Sequence, residues 1–323
     1  MALLLSRRAA IARALAQAGE RGVSGETLAH ELGVSRVAIG KHVTALRALG
    51  YEIESLPRVG YRLLGAPDAC IPEEVGPLLA DPLWVACEGA DALGSTNDEA
   101  KRLARAGVPE GTAVVAARQR AGRGRFGRVW ESPPGGAYVS CVLRPPLAPV
   151  ALGGLSLALA VGTARALDSL GAEAGLKWPN DLEVAGRKLG GILLEMTAEA
   201  DRTEWVVAGC GVNVVGAPGA DFAAVREQVP DVRVPVVAAA LLDGIAAAYR
   251  EFLGAGFPGG LAAAYRARDV LTGRDVIVRD ATGALVAAGV AERVADDGSL
   301  VVAGQDGTRS VAAGEVTLRS AAR

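Results

Sequence analysis

Apolar residues return every three to four positions across Arg7–Ala18, the spacing of one helical face. Ser24 then stands where it can cap a second helix running through Thr27, Leu28 and Ala29 to Leu32. Gly33 supplies a sharp turn, and Ser35 caps a third helix on which Ile39, Val43, Leu46 and Leu49 share a face. Two short extended runs follow, 51–53 and 60–63, joined across Pro57 and Arg58. This order predicts a winged helix-turn-helix over residues 1–64. Glycine and proline interrupt the pattern over 65–72, a candidate linker. Helical spacing then recurs at 97–106, 155–170, 236–252 and 261–267, and extended runs at 111–117, 138–143, 190–196 and 205–210. They predict one mixed α/β domain over 65–270. From Leu271 onward short alternating runs at 275–278, 285–289, 300–302 and 314–318 are broken by Asp-Gly and Thr-Gly pairs. That pattern predicts a small β-barrel over 271–323, completing a multidomain α+β chain. The uncharged run 145–164 carries Pro145, Pro146, Pro149, Gly153 and Gly154 in its first half, so it reads as a loop and a buried helix rather than a membrane span.

Charge sharpens the division. The 323 residues carry a net charge of −2, which excludes a globally basic nucleic-acid coat. Residues 1–64 hold nine Lys/Arg against five Asp/Glu, a balance of +4, and the remainder holds 25 against 31, a balance of −6. The basic charge sits in the first unit, where the outer face of the third helix offers Ser35, Arg36, Lys41 and His42. Helix pairs joined at a glycine also occur as plain packing units with a solvated charged face. A capped recognition-type helix, a wing and a local positive charge together favour operator DNA. Cys70, Cys87, Cys141 and Cys210 lie far apart with no Cys-x-x-Cys pair, as expected of reduced thiols in a cytoplasmic protein. The start, Met1 to Arg8, places its charge after the apolar residues, the reverse of a signal peptide.

The chemistry concentrates in three places. Gly122-Arg123-Gly124-Arg125-Phe126-Gly127-Arg128 formally matches the dinucleotide fingerprint, but Pro133, Pro134, Gly135 and Gly136 follow where a helix should open. No acidic residue stands between Glu131 and Asp168 to hold a ribose. A kinase glycine loop also matches, yet the two histidines, His30 and His42, begin no His-Arg-Asp loop. What remains is a flexible strip with five arginines, 118, 120, 123, 125 and 128, suited to a phosphate-bearing anion. A basic loop of this kind can also bind nothing, or contact nucleic acid. The second cluster is Lys177-Trp178-Pro179-Asn180-Asp181 with Arg187-Lys188-Leu189-Gly190-Gly191 after it, where Lys188 can neutralise an oxygen and Asp181 can hold Mg²⁺ through water. The third is Gly209-Cys210-Gly211-Val212-Asn213.

With Ser95-Thr96-Asn97, with Trp130 and Ser132-Pro133 after the arginine strip, and with the terminal β-unit, these motifs in this order resemble the biotin protein ligases. The resemblance is to the bacterial bifunctional type that also represses biotin synthesis genes, and it spans essentially the whole chain. It implies a class II synthetase-like central domain and an SH3-like terminal barrel. It also implies a two-step reaction: biotin and MgATP give biotinyl-5′-adenylate and pyrophosphate, and a lysine of a biotin carboxyl carrier protein then attacks the anhydride. By this resemblance Lys188, Arg123, Arg125 and Asp181 are catalytic, with Asp181 on the metal. Ser95, Thr96, Asn97, Gln119, Gly122, Arg123, Lys188, Gly209 and Gly211 hold biotin. Arg123, Arg125, Arg128, Trp130, Asn180, Lys188 and Asn213 hold ATP and the adenylate, Trp130 by stacking on adenine and Asn213 by reading its edge. Closure of the arginine strip over the adenylate excludes water, and adenylate-dependent homodimerisation sets two winged helices on paired half-sites. Phe126 departs from the commonest pattern, which has a further arginine there, and puts the ordering of that loop in question. A lipoate ligase and a non-catalytic winged-helix sensor of biotin remain as alternatives.

Overall fold

The computed structural model describes residues 3, 5–199, 201–305 and 307–318. Met1, Ala2 and Leu4 of the opening stretch, and 319–323 of the terminal unit, lie outside the described residues. Helices α1 (Arg7–Ala18), α2 (Gly25–Glu31) and α3 (Arg36–Ala48) precede a hairpin of β1 (Glu52–Leu56) and β2 (Gly60–Gly65). Ser6, Ser24 and Ser35 each cap a helix by accepting a backbone N–H three residues on, from Ala9, Thr27 and Ala38. Ile11, Leu15, Leu28, Ile39, Val43 and Leu46 form the core beneath. Arg47, at the end of α3, donates to the Ile53 carbonyl and to Ser55 Oγ, fixing the wing against the helix. The winged helix-turn-helix stands as the sequence reads it.

The 65–72 segment is not a free linker. Ile71 completes the winged-helix core while Cys70 enters the next one. The short α4 (Pro72–Val75) that follows carries two carboxylates joining the units. Glu73 pairs with Arg8 of α1 at 2.8 Å. Glu74 accepts from Tyr51 Oη at 2.6 Å and pairs with Arg233 at 2.7 Å.

A seven-stranded sheet forms the centre, in the order β3 (Ala86–Leu93), β4 (Thr112–Gln119), β5 (Gly136–Leu143), β9 (Arg202–Asn213), β8 (Arg187–Glu199), β7 (Asp181–Val184) and β6 (Gly175–Lys177). Only β3 and β4 run parallel. Side chains alternate across the strands. Ala113, Val115, Val139 and Cys141 face α6 (Leu155–Ser169) and α7 (Val234–Ala255), while Val114, Val142 and Val207 face Ala100 and Ala104 of α5 (Thr96–Arg105). The stretch Pro149–Ser169 is apolar and long enough to cross a membrane, but most of α6 is buried under α7 and the sheet.

After α8 (Gly260–Arg266) comes an antiparallel sheet in the order β13 (Gly307–Val311), β12 (Leu300–Gly304), β11 (Leu285–Val294), β10 (Asp275–Arg279) and β14 (Glu315–Leu318). The expected barrel is met as an open sheet, because β13 and β14 lie at opposite ends and each pairs with a single neighbour. The buried face of this unit, with Val276, Val278, Leu300 and Val316, is continuous with the central core. Trp178 Nε1 also donates to Gly298 O at 2.9 Å.

Candidate active site

The arginine strip is an ordered hairpin excursion between β4 and β5. Gln119 N donates to Ser132 O, Trp130 N to Gly122 O, and Gly124 N to Arg128 O, so its two limbs run side by side. Gly122 sits in the crossing, where a Cβ would stand 2.4 Å from Trp130 O. The tip, Arg125–Gly127, is a 3₁₀ turn with Phe126 at φ 55°, a left-handed conformation unusual for a bulky side chain. Beneath the hairpin is a cavity of about 260 Å³. Its lining includes Ser95, Thr96, Asn97, Gln119, Arg123, Arg125, Arg128, Trp130, Asn180, Asp181, Lys188, Gly209 and Gly211. Residues more than a hundred positions apart are thus brought together as expected, except two.

Asn213 is the first exception. It is 3% exposed, outside the cavity, and its Nδ2 donates to Ala223 O at 3.1 Å. It lies two positions beyond Gly211, at the end of β9, where it ties down the segment after the strand. Gly122, the second, shapes the hairpin rather than the wall.

One end of the cavity is a neutral polar network. Ser95 Oγ caps α5 by accepting from Asp98 N. Thr96 N donates to Gln119 Oε1 at 2.7 Å, Gln119 Nε2 to Ser132 Oγ at 2.9 Å, and Ser132 Oγ to Trp130 O at 3.0 Å. Ser140 Oγ lies 2.8 Å from Thr96 Oγ1 and 2.7 Å from Asn97 Oδ1. Glycine is required along β9 because these side chains press against its backbone. A Cβ on Gly209 would lie 2.0 Å from Asn97 Oδ1, and one on Gly211 2.7 Å from Trp130 Nε1.

The other end is cationic, and its charges are mostly paired. Lys188 Nζ meets Asp181 Oδ1 at 2.7 Å and stands 5.3 Å from the Trp130 ring centroid, covering one face of that ring. Lys177 meets Glu183 at 2.7 Å. Arg123 holds Asp98 with both nitrogens, and Arg128 holds Glu315 of β14 likewise. Hydrogen bonds from Arg123 keep the Asp98 carboxyl below its usual range, and Arg123 is stabilised in return. Arg125 differs. It donates to the neutral Gly314 carbonyl at 3.0 Å, lies 4.9 Å from the Phe126 ring centroid, and has no carboxylate in ion-pair contact among the described residues. Burial pushes its guanidinium below the ordinary arginine value. Trp130 Nε1 is also buried without a partner among the described residues.

Asn180 Nδ2 donates to Ile192 O at 2.8 Å, holding the turn after Pro179 against β8. Asp181 and Glu315 are the carboxylates of the lining, and no trio of His, Cys, Asp or Glu gathers to hold a metal among the described residues. One aspartate beside phosphate oxygens and water is nonetheless a donor set that suits Mg²⁺. Phe222 was not legible in the sequence. The 214–233 segment clamps the Lys188 backbone, Lys188 N donating to Asp221 O and Ala223 N to Lys188 O, and this sets Phe222 in the wall. A lone aromatic in a stretch rich in Gly, Ala and Pro was the available signal. Glu315 and Val316 of the terminal sheet were equally unforeseen as lining.

In the first unit Arg36 and Lys41 are exposed on α3, Ser35 Oγ is engaged as a cap, and His42 is half-buried beside the core position Val43. Val37, not singled out from the sequence, is 71% exposed between the basic side chains.

Residues 90–213 match the biotin/lipoate A/B protein ligase family and residues 7–62 an HTH domain. The bifunctional ligase/repressor BirA of Bacillus subtilis is 41% identical over 209 residues, which is 64% of this chain and 64% of that protein's length. A biotin--[acetyl-CoA-carboxylase] ligase of Paracoccus denitrificans is 35% identical over 69% of this chain and 96% of its own length. Among solved structures, the biotin protein ligase from Aquifex aeolicus in complex with biotin and ATP superposes with a TM-score of 0.61 at 25% identity, covering 72% of this chain and 98% of that one.

Proposed function

The chain belongs to the biotin protein ligase family, and from that premise we propose that it joins biotin to a carrier-protein lysine by way of biotinyl-5′-adenylate and also represses transcription through its winged helix. The observation that carries the ligase reading is the cavity with a neutral hydrogen-bonding end at Thr96, Asn97 and Gln119 and a cationic end at Arg123, Arg125 and Lys188. A ureido ring suits the first end, where paired donors and acceptors discriminate against analogues lacking them. Triphosphate and carboxylate oxygens suit the second.

In the first step a biotin carboxylate oxygen bonds to the α-phosphorus of ATP as the bond to the bridging oxygen of pyrophosphate breaks. Both reactants are anions, so Lys188, Arg123 and Arg125 act by neutralising charge and fixing the approach. Asp181 would hold Mg²⁺, which when bound neutralises phosphate charge. In the second step the carrier amine bonds to the acyl carbon and AMP leaves. Neither step needs an enzyme nucleophile, in keeping with two histidines that both lie in the winged helix. The arginine hairpin keeps water from the anhydride. Trp130 supports adenine binding, with Lys188 already set over its ring.

The finer fold descriptions, a class II synthetase-like domain and an SH3-like terminal unit, and the boundaries 1–64, 65–270 and 271–323, form part of this reading. So do operator DNA on Ser35, Arg36, Lys41 and His42, an adenylate-bound homodimer, and the cytoplasm, which four buried unpaired thiols favour.

The test is label transfer to an apo carrier domain with MgATP and either biotin or lipoate, with Lys188→Ala alongside. Transfer that depends on biotin and on Lys188 supports the ligase. Transfer of lipoate instead selects the lipoate ligase, and biotin binding without transfer selects the sensor.

A further inference from the structure

Outside the cavity wall a second set of charges reaches the site from behind. Glu195 of β8 and Lys101 of α5 belong to none of the motifs above. Lys101 Nζ donates to Glu195 Oε1 at 2.6 Å and pairs with Asp98 Oδ1 at 3.0 Å. Asp98 in turn holds Arg123 of the hairpin with both oxygens. The other oxygen of Glu195 accepts from Asn97 Nδ2 at 2.9 Å. A single chain of contacts therefore runs from the arginine hairpin, through α5 and β8, to the carboxamide at the neutral end of the cavity.

We infer that Glu195 and Lys101 are positioning residues, which turn Asn97 so that it offers the cavity an acceptor and hold Arg123 in place before any ligand arrives. The inference rests on the biotin reading only for the name of the ligand. Its physical ground is the chemistry of an amide, whose two ends differ only in hydrogen-bonding character. Turned the other way, Asn97 would set its oxygen against the Glu195 carboxylate, a meeting of two acceptors. With its nitrogen on Glu195, the nearer of two acceptors since Leu193 O lies at 3.4 Å, Oδ1 takes Ser140 Oγ at 2.7 Å and faces the backbone of Gly209. Glu195 thereby selects a ligand that presents an N–H at that spot. Lys101 makes this stable: without its cation Glu195 and Asp98 would share Arg123, which already stands 3.8 Å from Glu195. The Lys101 side chain is 15% exposed, so its two ion pairs are less screened than those at the open surface.

Two loss variants and one restoring variant test this. Glu195→Gln keeps size and reach but can present either a donor or an acceptor to Asn97. Lys101→Met keeps the stem and removes the charge, and Lys101→Arg restores it. Biotin affinity by calorimetry without ATP is expected to fall about tenfold in Glu195→Gln and in Lys101→Met, and to recover in Lys101→Arg. In Glu195→Gln the KM for ATP, kcat and the melting temperature should stay near wild type, a split that a general structural role would not give, whereas in Lys101→Met kcat should fall as well, because Arg123 loses its fixed place. Independently of any ligand, trypsin should cut the unliganded 123–128 segment several-fold faster in Lys101→Met and at the wild-type rate in Lys101→Arg. Wild-type biotin affinity in both loss variants, or wild-type trypsin resistance in Lys101→Met, would overturn the inference. If the wild-type protein itself binds no biotin, the ligase reading fails, while trypsin still decides whether Lys101 holds Arg123.

Discussion

Removing the Lys188 ammonium perturbs the one cation that touches both a carboxylate and an aromatic wall of the cavity. In Lys188→Ala the lost contacts are the 2.7 Å pair with Asp181 and the approach to Trp130. The pair is about a quarter to a third exposed on each side, so the fold loses about 0–1 kcal/mol. The reaction loses far more. A preorganised donor aimed at developing charge contributes about 2.7–4 kcal/mol, or roughly a hundred- to a thousandfold in kcat. Asp181 is also left uncompensated, and against an anionic oxygen about 4 Å away it adds repulsion of up to about 4 kcal/mol at an effective dielectric of about 20. Biotin-dependent exchange of labelled pyrophosphate into ATP should thus fall at least a hundredfold with an unchanged melting curve. Because the two residues act as a pair, adding Asp181→Asn should slow Lys188→Ala by less than Asp181→Asn slows the wild type. Exchange within threefold of wild type, or a double variant with simply multiplied losses, would refute this account.

Other expectations follow from the same geometry. Arg125→Gly should release adenylate and biotinylate bystander proteins, seen by streptavidin blotting; strict carrier specificity in that variant would end the role given to the hairpin. Gly209→Ala sets a methyl 2.0 Å from Asn97 Oδ1, so overpacking of about 1–3 kcal/mol should lower the melting temperature and weaken biotin binding at least tenfold. Burial pushes the thiols of Cys70, Cys141 and Cys210 up to about 12. They should resist a thiol reagent at pH 8 until the chain is denatured. Since the unfolded thiols ionise first, stability should be complete below about pH 8.5 and decline above it. Lys41→Ala should weaken binding to operator DNA and flatten its salt dependence, and an unchanged slope would remove Lys41 from the interface.

Much of the fold was legible because local signals agreed. Serine caps at 24 and 35 and the glycine at 33 delimit helices that the structure reproduces nearly to the residue. Strand β3 gave no such signal: Ala86–Leu93 carries Glu88, Gly89 and Asp91 and no β-branched residue, and it exists because β4 pairs with it. The three-residue β6 is likewise held by β7 and by Asp269 rather than by propensity. In the site, glycine spacings and the arginine strip marked the wall, since those residue types serve backbone approach and anion contact directly. The network behind it could not be read: the link from Lys101 to Glu195 crosses 94 positions, and only the Asp98–Lys101 spacing of three hints at a local pair. Asn213 shares a strand with Gly209 and Gly211 but is engaged with Ala223 O rather than set in the wall, a contact the motif did not announce.

The arginine hairpin depends on partners made at different times. Asp98 precedes it in the chain, but Gly314, which receives Arg125, lies 189 positions later. At about 5–20 residues per second of synthesis, roughly 10–40 s separate the emergence of the two. During that interval the nascent hairpin has Asp98 for Arg123 but neither of its terminal-sheet partners, Gly314 for Arg125 and Glu315 for Arg128. The cavity acquires its full cover only when the terminal sheet docks, so the site matures last, after the winged helix has had time to fold.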